Sequence, residues 1–502
     1  MTTIPTIPRL LDRALAERPT ATAVVARGGT LTYAELDAAA DFAAGALWEL
    51  GVRPGDRVAA CLPNGLEIVV AFHATQRIGA VWAGIGENLT PAEQQALAAV
   101  CEPTVVLAGP RCALDGAAVT AGGGVVDVSR LADLTNARHD APAVAVDPHA
   151  PAAIAFSSGT TAAPKAIVHS QHNLVLPAAV LVADRRWGPG LRKGDCFPFT
   201  ILNLQVLSTL VTAQAGGCSI VMDRRDCAGV AEWIQRGQAT VWNGAPAQLF
   251  DLARRADLDL SPVTEVWVGG AGFPGHLRDS FEARYGIPVT ATYGLSEAPT
   301  VVAIDPVDGP HRPGSSGRVL PHLTVAAYDD NGRRLAAGGI GELRLSAATA
   351  GPWAGLWRPP LGHWDGGALR PAAGDLVATG DIGHVDADGW LTMVDRKKLM
   401  IVRGGANVSP AEVEAVLAEH PAVAEAVVFG IRDDRLGERV AALLVPADAA
   451  LDADSLAFFC AGRLARYKVP EVWARAATLP RNAMNKVVRG DLEALLRSSP
   501  AL

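Results

Sequence analysis

The sequence predicts an α/β protein: a large N-terminal domain of helix-covered sheets with a β-rich subdomain, then a small α+β C-terminal domain. Three observations carry this. Short apolar strands alternate with helical patterns over residues 8–150 and again over 185–300, the texture of parallel sheets covered by helices. After Gly314 the pattern changes to shorter strands and turns, and from Leu399 a compact α+β unit follows. A chain of 502 residues is also too long for one small core, so two or more domains are expected.

The elements follow in order. Leu31-Thr32-Tyr33-Ala34-Glu35-Leu36 opens a helix, with Thr32 as N-cap and Glu35 closing a capping box. Residues 57–62 and 79–84 read as strands, and the apolar run 152–156 as a buried one. Further strands are expected at 219–222, 240–243 and 265–268. In the β-rich part Leu323–Tyr328 is a strand that ends at Asp329-Asp330-Asn331-Gly332. Residues 346–375, rich in Ala, Gly, Pro and Trp without a period, read as a loop. Residues 412–420 form an amphipathic helix, and 423–431 pairs with 441–445. A boundary near 395–399 divides the chain into 1–394, a linker 395–398 and 399–502.

Composition excludes several functions. Hydrophobic residues at 49% and charged residues at 19% describe a globular enzyme, neither disordered nor fibrous. A net charge of −8 and the lack of a basic stripe disfavour nucleic acid, and the pairs Arg224-Arg225 and Lys397-Lys398 are too short to make one. Seven scattered cysteines with no C-x-x-C spacing point to reduced thiols in the cytoplasm and to no zinc site. The N-terminus has no basic region followed by an apolar run, and no stretch approaches the ~18 apolar residues of a membrane span.

The chemistry is concentrated in a few segments. Ser157-Ser158-Gly159-Thr160-Thr161-Ala162-Ala163-Pro164-Lys165 offers backbone amides, hydroxyls and one ammonium to a single anion, which suits polyphosphate. A Walker loop needs glycine before its lysine and Ser/Thr after it; Pro164 and Ala166 stand there instead, which argues against a P-loop kinase or GTPase. Gly270-Ala271-Gly272-Phe273-Pro274-Gly275 formally fits a dinucleotide fingerprint, but proline inside it and its late position weaken that reading. His169 and His172 lack further ligands and fit packing at a helix start.

The first loop resembles the phosphate loop of the adenylate-forming (ANL) superfamily, the acyl-CoA synthetases and AMP-dependent synthetases and ligases, where it reads T-S-G-T-T-G-x-P-K-G. Ala162 and Ala166 replace two of its glycines, a change that costs about 1 kcal/mol wherever a positive φ is required. Other motifs of the family follow in order: Tyr293-Gly294-Leu295-Ser296-Glu297, Thr379-Gly380-Asp381, Asp395-Arg396-Lys397-Lys398, the run Arg403 to Glu414, and Pro480 to Val487. Leu31 to Leu36, Gly55-Asp56-Arg57-Val58 and Leu62-Pro63-Asn64 are typical of its front half. The resemblance spans residues 8–491. It implies activation of a carboxylic acid with ATP to an acyl-adenylate, release of pyrophosphate, and transfer of the acyl group to a thiol. Coenzyme A is the leading thiol, with the phosphopantetheine of an acyl carrier protein as the alternative.

The resemblance also implies residue roles. Two anions must react, so the site has to supply positive charge and orientation. Ser157, Ser158, Gly159, Thr160, Thr161 and Lys165 would hold phosphates, and Lys486 would bridge carboxylate and α-phosphate as a compact point charge. Asn485 beside it replaces a glycine, and asparagine tolerates left-handed backbone. Ser296 would touch the α-phosphate and Glu297 would hold Mg²⁺. Tyr293, flanked by Thr292 and Gly294, would stack on adenine, and Gly270, Ala271 and Gly272 would line the adenine and acyl pockets. Asp381 would accept the ribose hydroxyls with help from Arg396. Lys398 would be the hinge of a mobile C-terminal domain, and Gly404 and Gly405 would admit the thiol arm.

Thr200, Ile201, Asn203, Asn243, Gly269 and Gly294 would border the acid. Many family members carry histidine where Thr200 falls. Ile201 offers neither the aspartate that pairs an α-ammonium nor the asparagine of hydroxybenzoate activators, and an unpaired buried ammonium is costly, so an α-amino acid is disfavoured. Gly269, Gly270 and Gly294 would leave room for a broad acyl group, while Asn203 and Asn243 would meet a hydroxyl or carbonyl. The expected acid is apolar or lightly functionalised, aryl or alicyclic. A second class, a catalytically weak ATP- or adenylate-binding protein, is motivated by Ala162, Ala166 and Asn485.

Overall fold

The computed structural model describes residues 5–119, 124–128, 141–157, 165–255, 257–269, 275–309, 311–365, 367–403, 406–447, 452–481, 487–490 and 492–502. Its contacts divide the chain into two compact units. The first comprises residues 1–311, 317–324 and 346–377; the second comprises 312–316, 325–345 and 378–502.

The first unit is built on two sheets. In the eight-stranded one, Val125–Asp127, Val105–Ala108, Arg57–Cys61, Val81–Gly84 and Pro151–Ser157 run parallel in that spatial order. Lys165–Ser170 turns back antiparallel on Pro151–Ser157. The nine-stranded sheet has a parallel centre of Val289–Leu295, Glu265–Gly269, Val241–Gly244, Arg192–Asp195, Cys218–Val221 and Thr22–Ala26, with antiparallel strands at both edges. Apolar runs with no alternation are what strands covered on both faces require. Ile220, Trp242, Val266, Phe281 and Val289 accordingly form a closed core.

The predicted helix start is borne out. Thr32 Oγ1 accepts from Glu35 N at 3.2 Å and the Glu35 carboxylate accepts from Thr32 N at 2.8 Å, opening the helix Tyr33–Glu49. One expectation fails. Residues 346–375 are not wholly loop: Gly362–Asp365 and Ala368–Pro371 pair as a hairpin, and the first of them extends the eight-stranded sheet against Lys165–Ser170. Strands of four residues, here with Gly, Trp and Pro among them, have too few residues to show a period.

The second unit holds the β-rich strands Gly341–Ala347, Val377–Val385 and Leu391–Arg396, with residues 346, 347 and 377 at the margin of the first. It also holds an α+β part in which Val423–Asp433 and Gly437–Pro446 pair antiparallel. The helix expected at 412–420 is Pro410–Ala418. It begins earlier because Ser409 caps it, accepting from Glu412 N at 3.2 Å, and Pro410 suits the first helical position. Val413 and Leu417 on this helix pack with Val428, Val440, Leu444 and Trp473.

Burial in the first unit leaves three histidines neutral. Desolvation pushes His73 and His322 down to about 3 and His169 down to about 4. In the unfolded chain each takes a proton below about pH 6.5, so the unfolded state binds more protons and stability falls as pH drops from 6.5 toward 4. Asp195, pushed up to about 6 by burial, gains its proton on folding below that pH and offsets one of the three. The thermal midpoint should therefore fall steadily from pH 6.5 to 4. His322→Gln should flatten the slope by about 1.4 kcal/mol per pH unit, read by calorimetry across that range; a midpoint independent of pH would contradict this.

Candidate active site

Two hairpins of the first unit present the phosphate-binding candidates. Pro151–Ser157 and Lys165–Ser170 face each other in register Ser157↔Lys165. The segment joining them, with Ser158, Gly159, Thr160, Thr161 and Ala162, lies outside the described residues. Lys165 is exposed at the first position of its strand. Ala166 next to it is buried, pairs with Phe156 on one side and Trp364 on the other, and is not among the positive-φ residues. The cost foreseen for alanine here does not arise, because the backbone is an ordinary strand.

The second hairpin is Val289–Leu295 with Ala298–Ile304, and its two-residue turn is Ser296-Glu297. The strand register shifts on both sides of Gly294, an irregularity of the kind that re-aims side chains beside active sites. Tyr293 is buried at 7% exposure, and Thr292 Oγ1 donates to Val268 O at 3.3 Å. A side chain at Gly269 would stand 2.4 Å from Thr292 Oγ1, and one at Gly294 would stand 1.9 Å from the Thr300 carbonyl oxygen. Packing within the sheet thus gives both glycines a reason independent of acyl room. Gly270, Ala271 and Gly272 lie outside the described residues.

His169 joins the two hairpins. It is fully buried on the Lys165–Ser170 strand, four residues beyond Lys165, with Nε2 2.8 Å from the Ser296 carbonyl oxygen. A carbonyl only accepts, so the proton sits on Nε2, and the lowered pKa keeps the ring neutral. The ring thereby fixes the turn that carries Ser296 and Glu297 to the strand that carries Lys165. His169 therefore is not helix-start packing. His172, in the first turn of the helix Gln171–Asp184, is; its Nε2 lies 2.7 Å from Leu356 O. The one signal available in sequence was a histidine in an otherwise apolar run.

On the acyl side Thr200 is buried, Ile201 precedes the short helix Leu202–Leu204, and Asn203 is half-buried. Asn243 is 8% exposed and donates its amide to Asp195 Oδ1. Asp195 Oδ2 also accepts from Ser208 Oγ and from Lys193 Nζ at 3.3 Å. Lys193 and Asp195 are completely buried. Burial lowers the lysine pKa and raises the aspartate to about 6, each opposed by the other's charge. Lys193 Nζ also lies 5.2 Å from the Trp267 ring centre, and Trp187 stacks on that ring at 5.2 Å. Sequence reasoning missed this network, although Arg192-Lys193-Gly194-Asp195 is an unusually charged strand.

In the second unit Asp381 and Arg396 come together as the motifs imply. They are in-register partners on neighbouring strands, with Arg396 Nε 3.1 Å from Asp381 Oδ1, and Asp381 is 1% exposed. Gly380 has φ +71°, a conformation glycine adopts freely, and Thr379 Oγ1 accepts from Asp381 N at 3.0 Å. Asp395 anchors the following segment: its Oδ2 accepts from Ser409 Oγ at 2.6 Å and from Ala411 N at 3.0 Å. Lys398 is exposed in the short turn Lys397–Leu399. Gly404, Gly405 and Lys486 lie outside the described residues. Arg481 and Val487, on either side of the segment containing Lys486, form an antiparallel bridge.

Among the described residues no helix is long and apolar enough to cross a membrane. Comparison with known proteins gives the chemistry a lineage. Residues 11–351 match the family model of the AMP-binding enzyme, and residues 412–486 match that of the AMP-binding enzyme C-terminal domain. The chain is 30% identical to an indoleacetate–CoA ligase of Aromatoleum aromaticum, over 97% of each protein. It is also 30% identical to a 2-succinylbenzoate–CoA ligase of Bacillus licheniformis, over 97% of this chain and 99% of the relative. The structure of ATP-bound MatB from Rhodopseudomonas palustris superimposes with a TM-score of 0.84 at 26% identity, covering 97% of this chain and 98% of that one. With both characteristic domains matched in sequence order, the chain belongs to the AMP-binding enzyme family, the adenylate-forming acyl-CoA synthetases.

Proposed function

We propose that this chain is an AMP-forming acid–thiol ligase for an aryl or alicyclic carboxylic acid, with coenzyme A as the acceptor. A carboxylate oxygen attacks the α-phosphorus of ATP and the bond to the β-phosphate oxygen breaks, releasing pyrophosphate. The thiol sulfur then attacks the acyl carbon, and AMP leaves with the electrons of the acyl–oxygen bond. The observation that carries this reading is the His169 bond, which holds the Ser296-Glu297 turn to the strand of Lys165. Lys165 and the loop before it hold the phosphates, Ser296 touches the α-phosphate, and Tyr293 stacks on adenine. Asp381 takes the ribose hydroxyls with Arg396 beside it. Glu297, half-buried in a tight turn next to Ser296, offers the hard carboxylate oxygen that Mg²⁺ prefers. Bound there, Mg²⁺ neutralises phosphate charge.

Lys486 bridges the two reacting anions. Lys398 is the pivot between a domain of residues 1–394 and one of residues 399–502, and Gly404-Gly405 admits the pantetheine arm. The acid class rests on Ile201, which supplies no partner for an α-ammonium, and on relatives named for indoleacetate and 2-succinylbenzoate, both ring-bearing acids. Seven free cysteines fit a cytoplasmic setting.

The direct test is pyrophosphate release with ATP, Mg²⁺ and a panel of ring-bearing acids, each with and without coenzyme A, the products read by mass spectrometry. Acyl-AMP that becomes acyl-CoA is expected; acyl-AMP that persists in coenzyme A would overturn the acceptor, and no acid-dependent release would overturn the ligase reading. Lys486→Ala should slow adenylate formation at least about a hundredfold, the scale of losing one preorganised charge contact, while ATP still binds by calorimetry; unchanged turnover would remove Lys486 from the mechanism. Gly405→Leu should spare pyrophosphate release and block thioester formation, and equal loss of both would count against a thiol channel there. His169→Phe keeps an aromatic ring but loses the N–H. It should lower kcat for adenylation about tenfold, the scale of one lost hydrogen bond, and lower the thermal midpoint by a few degrees while the protein stays folded; wild-type kcat would show that the tether does not matter.

A further inference from the structure

The polar network behind the acyl side fixes the direction of one amide. Asn243 and Asp195 are in-register partners on adjacent parallel strands, as are Asn243 and Trp267, and Gly269 and Thr292. In-register neighbours share a sheet face, so all of these residues lie on one face, with Asp195, Asn243 and Gly269 at or next to the carboxyl ends of their parallel strands, where ligands of α/β sheets bind. Asp195 is surrounded by donors: Lys193 Nζ, Ser208 Oγ and Asn243 Nδ2. A carboxylate only accepts, so Asn243 has to turn its NH₂ toward Asp195 and its carbonyl oxygen away. That oxygen, Oδ1, is buried and has no partner among the described residues. The same holds for the indole N–H of Trp267, which is 2% exposed. An unsatisfied acceptor and an unsatisfied donor thus stand on neighbouring strands, and each costs free energy until something pairs with it.

We propose that Asn243 is a specificity residue whose outward carbonyl oxygen accepts a hydrogen bond from a hydroxyl or amino group on the ring portion of the acid, with Asp195 and Lys193 as positioning residues that set its direction. A hydroxyl or amino group gives its proton to Asn243 Oδ1 and so pairs the buried acceptor. An ether or a methyl group leaves the Asn243 oxygen buried and unpaired. This narrows the substrate class from an aryl or alicyclic acid to one bearing a hydrogen-bond donor away from its carboxylate. The inference rests on the ligase reading above.

The test uses matched pairs of acids on the unaltered enzyme. Hydroxybenzoates, hydroxyphenylacetates and aminobenzoates in each ring position are compared with their methyl ethers or nitro analogues by acid-dependent pyrophosphate release. At least one donor-bearing acid should exceed its partner in kcat/KM by about a hundredfold, since a site built around a substrate hydroxyl rejects the analogue that lacks it. Asn243→Leu should erase the ratio while the ether is still adenylated. Asp195→Asn should invert it: the new amide gives its NH₂ to Asn243 Oδ1, Asn243 turns its own NH₂ outward, and the ether becomes the better substrate. A merely structural role for Asp195 would lower both rates and leave the ratio in place, which would overturn the positioning claim. Equal use of donor and ether by the unaltered enzyme would overturn the specificity claim and leave the ligase reading intact. No acid-dependent release from any acid would overturn both. The analogue comparison needs no variant, so it decides even if a substitution prevents folding.

Discussion

A single hydrogen bond, from the buried His169 ring to the Ser296 carbonyl oxygen, ties together the two hairpins that carry the phosphate-binding candidates of the first unit. One hairpin belongs to the eight-stranded sheet and the other to the nine-stranded sheet, so the bond also relates the two sheets where it matters for chemistry. A turn of two residues has little to hold it in place. A bond to a buried, neutral ring fixes its backbone without introducing a charge that would compete for phosphate. Loss of the ring's neutrality would change the character of the contact, and burial keeps that from happening near neutral pH.

The buried Lys193–Asp195 pair poses a different energetic problem. Taking two charges out of water costs several kcal/mol per ion, and their attraction repays this only when the remaining donors and acceptors are well paired. Asp195 meets that condition with three donors. Such a pair is weak evidence for stability and better evidence for specificity, because it dictates the orientation of every amide and hydroxyl around it. Asn243 is the member of that network with a group left over.

Much of this was legible in the sequence. The Thr32/Glu35 capping box was readable because capping is local chemistry, decided by residues three apart. The parallel strands at Arg57–Cys61, Val81–Gly84, Cys218–Val221, Val241–Gly244 and Glu265–Gly269 were readable because burial on both faces favours apolar runs, whereas the charged Arg192–Asp195 in the nine-stranded sheet was not. Asp381 and Arg396 were named separately from two motifs fifteen residues apart, and strand register brings them into contact. What escaped depended on tertiary context. The hairpin of Gly362–Asp365 and Ala368–Pro371 gains its strand character from the sheet edge it joins. Ala166 seemed strained only against a family pattern, and its strand backbone shows no strain. His169 looked like helix packing because nothing local reveals a partner 127 residues away. Lys193 and Asp195 carried no reading from sequence, since charged residues on a strand are ordinarily exposed and nothing local marks these two as buried.

The central claim is that the acid's own oxygen attacks the α-phosphorus. The most direct measurement is to supply an active acid labelled with ¹⁸O in its carboxylate and to weigh the AMP formed in the presence of coenzyme A. The account predicts AMP carrying one labelled oxygen, because the bridging oxygen of the adenylate stays with phosphorus when the thiol displaces it. AMP free of label, with both labelled oxygens still in unreacted or esterified acid, would contradict it.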